Sequence, residues 1–318
     1  MGRFVSGSAP SVDRALADAL AAIGSEISAL RIPDLQGVVL GGGYGRGEGG
    51  VRNVNGAERL SNDLDFFAVA VEGATDADAS AISAALEPLA RRWTEKLGVD
   101  VDFTSRTPWR LRHDQERLMV QELIHGYVDV AGSCGKELFA GIDRRDPSAL
   151  PWMEAARLLM NRGVGLLLAM ERRPADFVSR NINKCILGAG DALLVSRGLY
   201  RWRAEDRKAA LAAHGDDGLY ARALEWKSRP REEPVCDWET ARGRWLGAKV
   251  EVFAAADEAV RRRSLRNAAR WLVRRRSLGA PGTFGQDPVV RILARVAGCI
   301  EGRRPLDSSL RRDWEIFN

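Results

Sequence analysis

The chain has 318 residues, 45% of them hydrophobic, which is enough length and apolar material for two domain cores. With 48 basic against 43 acidic side chains the net charge is only +5, so charge alone identifies no partner. The four cysteines, Cys134, Cys185, Cys236 and Cys299, are far apart and form no C-x-x-C pair, so neither a zinc knuckle nor a disulfide framework is suggested and buried thiols are expected. The longest apolar run, residues 164–170, is far short of a bilayer span, and the first residues carry no signal-peptide core. Met1-Gly2 with Ser6 loosely matches a myristoylation signal, but no second membrane signal supports it. A cytoplasmic protein with no membrane partner is expected.

In chain order, residues 11–30 have the spacing of an amphipathic helix, with Ser11 as N-cap, Asp13 in the first turn and Pro33 as its end. Val38-Val39-Leu40 is the first strand. The run Gly41-Gly42-Gly43-Tyr44-Gly45-Arg46-Gly47-Glu48 is a glycine turn, and residues 49–62 form a polar loop. Asp63-Leu64-Asp65-Phe66-Phe67 alternates as a second strand, residues 76–97 form a helix stopped by Gly98, and Val99-Asp100-Val101-Asp102-Phe103 is a further alternating strand. These elements predict a small mixed sheet with helices on one side. Residues 119–129 have an apolar rhythm fitting a helix or a short strand that enters Val128-Asp129-Val130. Turn formers and charges at 141–148 mark a boundary, and beyond it residues 153–170 and 182–199 have helical spacing. The expected class is α+β, with a mixed-sheet domain over residues 1–140 followed by an α-helical domain over 141–318.

The aspartates carry the chemistry. Alternate side chains of a strand face the same way, so Asp63 and Asp65 project together while Leu64 and Phe66 point to the opposite face. Two like charges side by side are unfavourable, and a hard cation with oxygen ligands removes the repulsion. Asp100 or Asp102 would supply a third carboxylate. Asp102 is favoured because it lies deeper in the apolar stretch, whereas Asp100 adjoins the turn at Gly98.

The order of hydrophobic strand, glycine turn, Asp-hydrophobe-Asp and separate acidic strand resembles the DNA polymerase β nucleotidyltransferase superfamily. Gly42 to Glu48 is similar letter for letter to the Gly-Gly-Tyr-Gly-Arg-Gly-Glu string of the bacterial PII uridylyltransferases. The likeness spans residues 36–107. It departs at residues 49–62, longer than in that family, and at Asn62, where serine is usual. The resemblance implies a nucleotidyltransferase domain that transfers a nucleoside monophosphate from a nucleoside triphosphate and releases pyrophosphate. ATP stands as the default donor, and the acceptor is a small molecule, a protein or an RNA. It implies two Mg²⁺ ions, replaceable by Mn²⁺, clamping an in-line displacement. Asp63 and Asp65 would bind both ions and Asp102 the ion that activates the acceptor. Gly42 and Gly43 would let backbone approach the triphosphate, Arg46 would lie near the phosphates or brace the turn, and Glu48 would fix the loop by pairing with an arginine.

Competing motifs fare worse. Gly45 to Gly50 satisfies G-x-G-x-x-G, but no apolar helix follows, and no Gly-Lys-Ser/Thr accompanies the glycines. His113, His125 and His214 lack metal-ligand spacing. Lys184, Gly188 and Asp191 share a helical stripe, from which Lys184 would reach a triphosphate or, more blandly, form part of a solvated face. The arginines at 261–263, 266, 270 and 274–276 punctuate a helix that reads first as a solvated face and second as an RNA-binding surface. The tryptophans at 202, 226, 238, 245, 271 and 314 are expected to pack helices together. The alternative to an enzyme is a non-catalytic nucleotide-sensing or RNA-binding protein that keeps the fold.

Overall fold

A computed structural model describes residues 3–7, 9–171, 173–266 and 288–317. The protein is α+β, with a small mixed sheet and an extensive set of helices. It divides into two compact units, Met1–Arg145 with Lys227–Arg231, and Asp146–Trp226 with Glu232–Asn318.

In the first unit, helix α1 (Pro10–Leu30) precedes strand β1 (Leu35–Leu40) and the one-turn helix α2 (Gly42–Gly45). Pro10 occupies the first helical turn and Ala9 the cap, so Ser11 is inside the helix and not its N-cap; Asp13 instead accepts from the backbone N–H groups of Arg3 and Phe4. The helix stops at a left-handed Arg31, two residues before Pro33. Residues 49–62 are not a loop. They fold as the hairpin β2 (Val51–Val54) and β3 (Ala57–Leu60), turned through Asn55 and Gly56 at φ 52° and 82°. The Asn-Gly pair is the usual requirement of a two-residue turn with both central residues left-handed.

Strand β4 (Leu64–Ala70), helix α3 (Asp76–Leu97) and strand β5 (Val101–Arg106) form a parallel crossover, and α3 is bounded by a Thr75/Asp78 capping box and a left-handed Gly98. Helices α4 (Pro108–His113) and α5 (Leu118–His125), strand β6 (Val128–Gly132) and helix α6 (Gly135–Leu138) complete the unit. The sheet order is β5-β4-β1-β6, with only β4 and β5 parallel.

Helices cover both faces, which corrects the one-sided arrangement. Val38, Leu40, Leu64, Phe66 and Ala68 pack with Leu16 and Ile23 of α1 and Ile82 and Leu86 of α3. Val39, Phe67 and Val69 pack on the other face with Leu111, Leu123, Ile124 and Leu138. Strands β1 and β4 are apolar at both parities, so each face needs its own cover.

In the second unit, helix α7 (Trp152–Leu168) packs against α8 (Ala175–Ser196), α11 (Trp238–Arg266) and α12 (Pro288–Glu301), with α9 (Ala204–Ala213), α10 (Leu219–Ser228) and α13 (Ser308–Phe317) around them. Helix α8 begins before the expected residue 182, directly after Pro174. Several tryptophans tie helices through their indole N–H: Trp245 donates to the Leu159 carbonyl at 2.8 Å, Trp238 to that of Leu166 at 3.0 Å and Trp314 to Asn161 at 3.0 Å. Residues 261–266 continue α11, while Arg270, Trp271 and Arg274 to Arg276 lie outside the described residues. Of the cysteines, all free, only Cys185 is buried; the other three are half-buried, which corrects the expectation for them.

Arg207 is 4% exposed. Its guanidinium pairs with Asp191 at 3.1 Å, and donates to the hydroxyls of Tyr200 and Tyr220 and to the carbonyls of Arg201 and Trp202. Removing one side of such a buried pair strands the other charge. Arg207→Met is therefore expected to lower the unfolding free energy by about 3–5 kcal/mol, read from the urea midpoint.

Candidate active site

The site is built where β1 ends and β4 begins. Asp63 precedes β4 and Asp65 is its second residue. The register sets Asp65 opposite Asp102 and Phe66 opposite Phe103, whose rings stack with centroids 4.8 Å apart. Phe66 is held in the core, so Asp65 projects to the face of Phe67 and Val69. Asp102 joins that face from the neighbouring strand. Asp100 has the same parity but precedes β5, where its carbonyl accepts from Leu64 N–H at 2.8 Å.

Electrostatically, Asp102 feels its acidic neighbours. The Asp102 carboxyl is raised above its ordinary value by partial burial, then by the charges of Asp100 and Asp63 and by Glu87. The carboxylates of Asp63 and Asp102 make no hydrogen bond or ion pair with another described residue. Among the described residues, no group of three or more His, Cys, Asp or Glu side chains is close enough to hold a metal by itself. The arrangement is a shared acidic face, not a closed ligand cage. Its hard oxygen donors fit Mg²⁺, which is ordinarily held by one or two carboxylates together with substrate phosphates and water.

The glycine turn folds onto this face. Gly41 N–H donates to the Asp65 carbonyl at 2.8 Å, and Gly42, at φ 60°, lies so close to the Asp65 carboxylate that a Cβ there would collide with it. Both the left-handed backbone and the close approach require glycine at this position. Gly43 is different: a Cβ on it would meet nothing nearer than the Glu48 carbonyl at 3.5 Å, an ordinary contact. Arg46 is clasped by two carboxylates, Glu48 at 3.3 Å and Glu122 at 3.3 Å, and so braces the turn against α5.

Tyr44, unused in the sequence reading, is the tie that organises these pieces. It is 1% exposed. Its hydroxyl donates to the Gly50 carbonyl at 2.7 Å and accepts from the N–H groups of Ser61 at 3.0 Å and Asn62 at 3.3 Å. Burial raises its pKa, and the Asp63 charge adds to that, against the backbone donors of Asn62 and Ser61. Asn62 Oδ1 in turn accepts from Gly50 N–H at 2.7 Å, closing the base of the hairpin beside Asp63. A bulky aromatic embedded in glycines was the available signal. Glu122 had none, because nothing in the sequence links residue 122 to residue 46.

Lys184 lies on α8 of the second unit. On its stripe, Gly188 makes room for the side chain of Arg162 from α7, and Asp191 accepts from Tyr220 at 2.7 Å and pairs with Arg207. Both serve the packing of the helical unit.

No protein-family model matches the sequence, and no curated protein is similar to it at a significant level. Among solved structures, the chain is similar to spectinomycin adenyltransferase AAD(9) from Enterococcus faecialis, solved with ATP and spectinomycin. The TM-score is 0.42 and the identity 12%, over 74% of this chain and 98% of that one. A likeness of that size leaves the chemistry to be argued from the site residues. No helix among the described residues is long and apolar enough to cross a membrane.

The raised Asp102 carboxyl has a stability consequence. Its native form holds a proton more tightly than the unfolded chain does, so stability declines as pH rises from the ordinary value of 3.8 through the raised one, and the penalty is complete at neutral pH. Asp102→Asn is expected to melt above the wild type at pH 7, with the difference shrinking as pH falls toward 3.8, measured by thermal scans across pH.

Proposed function

We propose that the chain is a divalent-metal-dependent nucleotidyltransferase, moving a nucleoside monophosphate from a triphosphate, with ATP as default donor, to a hydroxyl or phosphate oxygen of an acceptor. The observation that carries this reading is the acidic face itself. Asp65 stands opposite Asp102, and Asp63 and Asp102 repel each other with no partner among the described residues. Like charges kept together without a counter-charge are costly, and a cation with substrate phosphates supplies one.

Asp63, Asp65 and Asp102 would hold Mg²⁺, or Mn²⁺ in its place. When bound, the metal would neutralise the phosphate charge and lower the pKa of the attacking oxygen. The acceptor oxygen bonds to the α-phosphorus and loses its proton, while the bond to the β-phosphate bridging oxygen breaks and pyrophosphate departs. The chain's own contribution is placement. Gly42 brings backbone against Asp65, Arg46 acts as a positioning residue that keeps the turn rigid, and Tyr44 fixes the approach to Asp63. Gly43 gives the reading independent support, because its packing would accept a methyl group. Its bareness is accounted for by the approach of a phosphate chain.

The test is a thermal melt with each nucleoside triphosphate, with and without Mg²⁺. A ligand at one hundred times its Kd stabilises the native state by about 2.7 kcal/mol. One triphosphate should raise the wild-type Tm only with metal, and Asp63→Asn/Asp65→Asn should lose that rise and release no pyrophosphate from labelled nucleotide. Equal pyrophosphate release from both proteins removes the site assignment. A metal-dependent shift without release under any acceptor condition moves the chain to the nucleotide-sensing alternative. Gly43→Ala is a sharper probe: it should melt at or above the wild-type temperature yet show a reduced triphosphate shift.

A further inference from the structure

Along β5 beyond Asp102, a cavity of about 590 Å³ opens between the strand, the first turns of α3 and helix α4. Arg106, Arg110 and Arg117 line it, with Asp76, Asp114 and Thr107. Arg106 is opposite Val69 in the register, four residues beyond the Asp65 and Asp102 pair, or roughly 13 Å along the strand. The cavity runs along the strand from Phe103, next to Asp102, to Thr107, and Arg106 stands at its end farther from the acidic face.

Its charges do not balance. Arg110 is taken by Asp76, with Nη2 to Oδ2 at 3.0 Å, and Arg117 is 3.7 Å from Asp114. Arg106 has no carboxylate partner among the described residues, and its guanidinium donates only to the Ser105 carbonyl at 3.0 Å. The Arg117 Nε is buried without a hydrogen-bond partner. Arg106 thus holds unused donors in a half-buried pocket, while the spare Arg117 Nε is buried in its wall. Thr107 Oγ1 accepts from Arg110 N–H at 3.1 Å, which leaves the hydroxyl proton to donate. Burial lowers the pKa of Arg106, opposed by the charges of Asp114 and Asp76 and helped by Arg117 and Arg110.

We propose that this cavity is a binding site for a phosphate dianion, free or as a small phosphomonoester, separate from the acidic face. A planar guanidinium presents paired donors at the spacing of phosphate oxygens, and Arg106 and Arg117 supply such donors from two directions. Asp76 and Asp114 hold Arg110 and Arg117 in place and leave Arg106 to meet the ligand. A cavity of this size admits a phosphorylated sugar or polyol as well as the bare ion.

Isothermal titration of the full chain with inorganic phosphate, and separately with glycerol phosphate, at ionic strength held constant with chloride, tests this. The wild type should bind saturably. Arg106→Gln should bind at least tenfold more weakly, while Asp63→Asn/Asp65→Asn should bind within twofold of the wild type. Tighter binding of the ester assigns the pocket to a phosphomonoester, and equal binding assigns it to the phosphate group alone. If Arg106→Gln fails to fold by circular dichroism, Arg117→Gln takes its place with the same expected loss. No saturable binding to the wild type overturns the proposal. So does equal binding by the wild type and the folded arginine variants, or binding lost only in the aspartate variant.

Discussion

The candidate site depends on the parallel pairing of β4 with β5. Because side chains alternate with a period of two, a slip of one residue would send Asp65 into the core and bring Phe66 out. The stacked Phe66 and Phe103 rings work against that slip, and Val101 and Leu64 do the same one step earlier. The apolar parity of both strands therefore positions the polar parity, and burial on one side delivers the carboxylates to the other. A crossover helix with strong signals at both ends, the Thr75/Asp78 box and Gly98, brings β5 back to that register.

A second constraint acts at right angles to the sheet. The Tyr44 hydroxyl collects a carbonyl and two N–H groups from the two ends of the β2–β3 hairpin, and the ring fills the core below the glycine turn. One buried phenol thus couples the turn, the hairpin and the residue before Asp63. The hairpin lengthens the chain between turn and aspartates without lengthening the distance in space, because Gly50 and Asn62 are bonded at its base. This explains how residues 49–62 separate two motifs in sequence while the motifs meet in the fold.

What was legible in the sequence was local. Alternation along 63–67 and 99–103, the helix between them and the glycine string all follow from periods and turn chemistry carried by neighbouring residues. The parts that escaped rest on contacts distant in sequence or on competition between local signals. Pro10 displaced Ser11 as the start of α1 because a proline in the first turn sacrifices no hydrogen bond. The hairpin was readable from Asn55-Gly56, but its polar strands lack the apolar alternation that usually announces one. Glu122 closing on Arg46, and Lys227–Arg231 joining the first unit, required the folded chain, since separations of that length carry no periodic signature.

Edge protection is the strongest purely structural account of the charges on β5, since an edge strand with aspartates and arginines resists pairing with a second chain. That account suits Asp100 and Asp102, which are both exposed. It does not suit the other charges. Guarding an edge needs charges in water, whereas Arg106 is half-buried and Asp65 lies on β4, inside the sheet. It also needs no unpaired charges, because an ion pair deters a neighbouring strand as well as a lone one. Asp102, crowded by like charge, and Arg106, without an ion-pair partner among the described residues, lie at opposite ends of one strand, which is the arrangement that the two proposed ligands of opposite sign would meet: a cation with its phosphates at Asp102, and a phosphate dianion at Arg106.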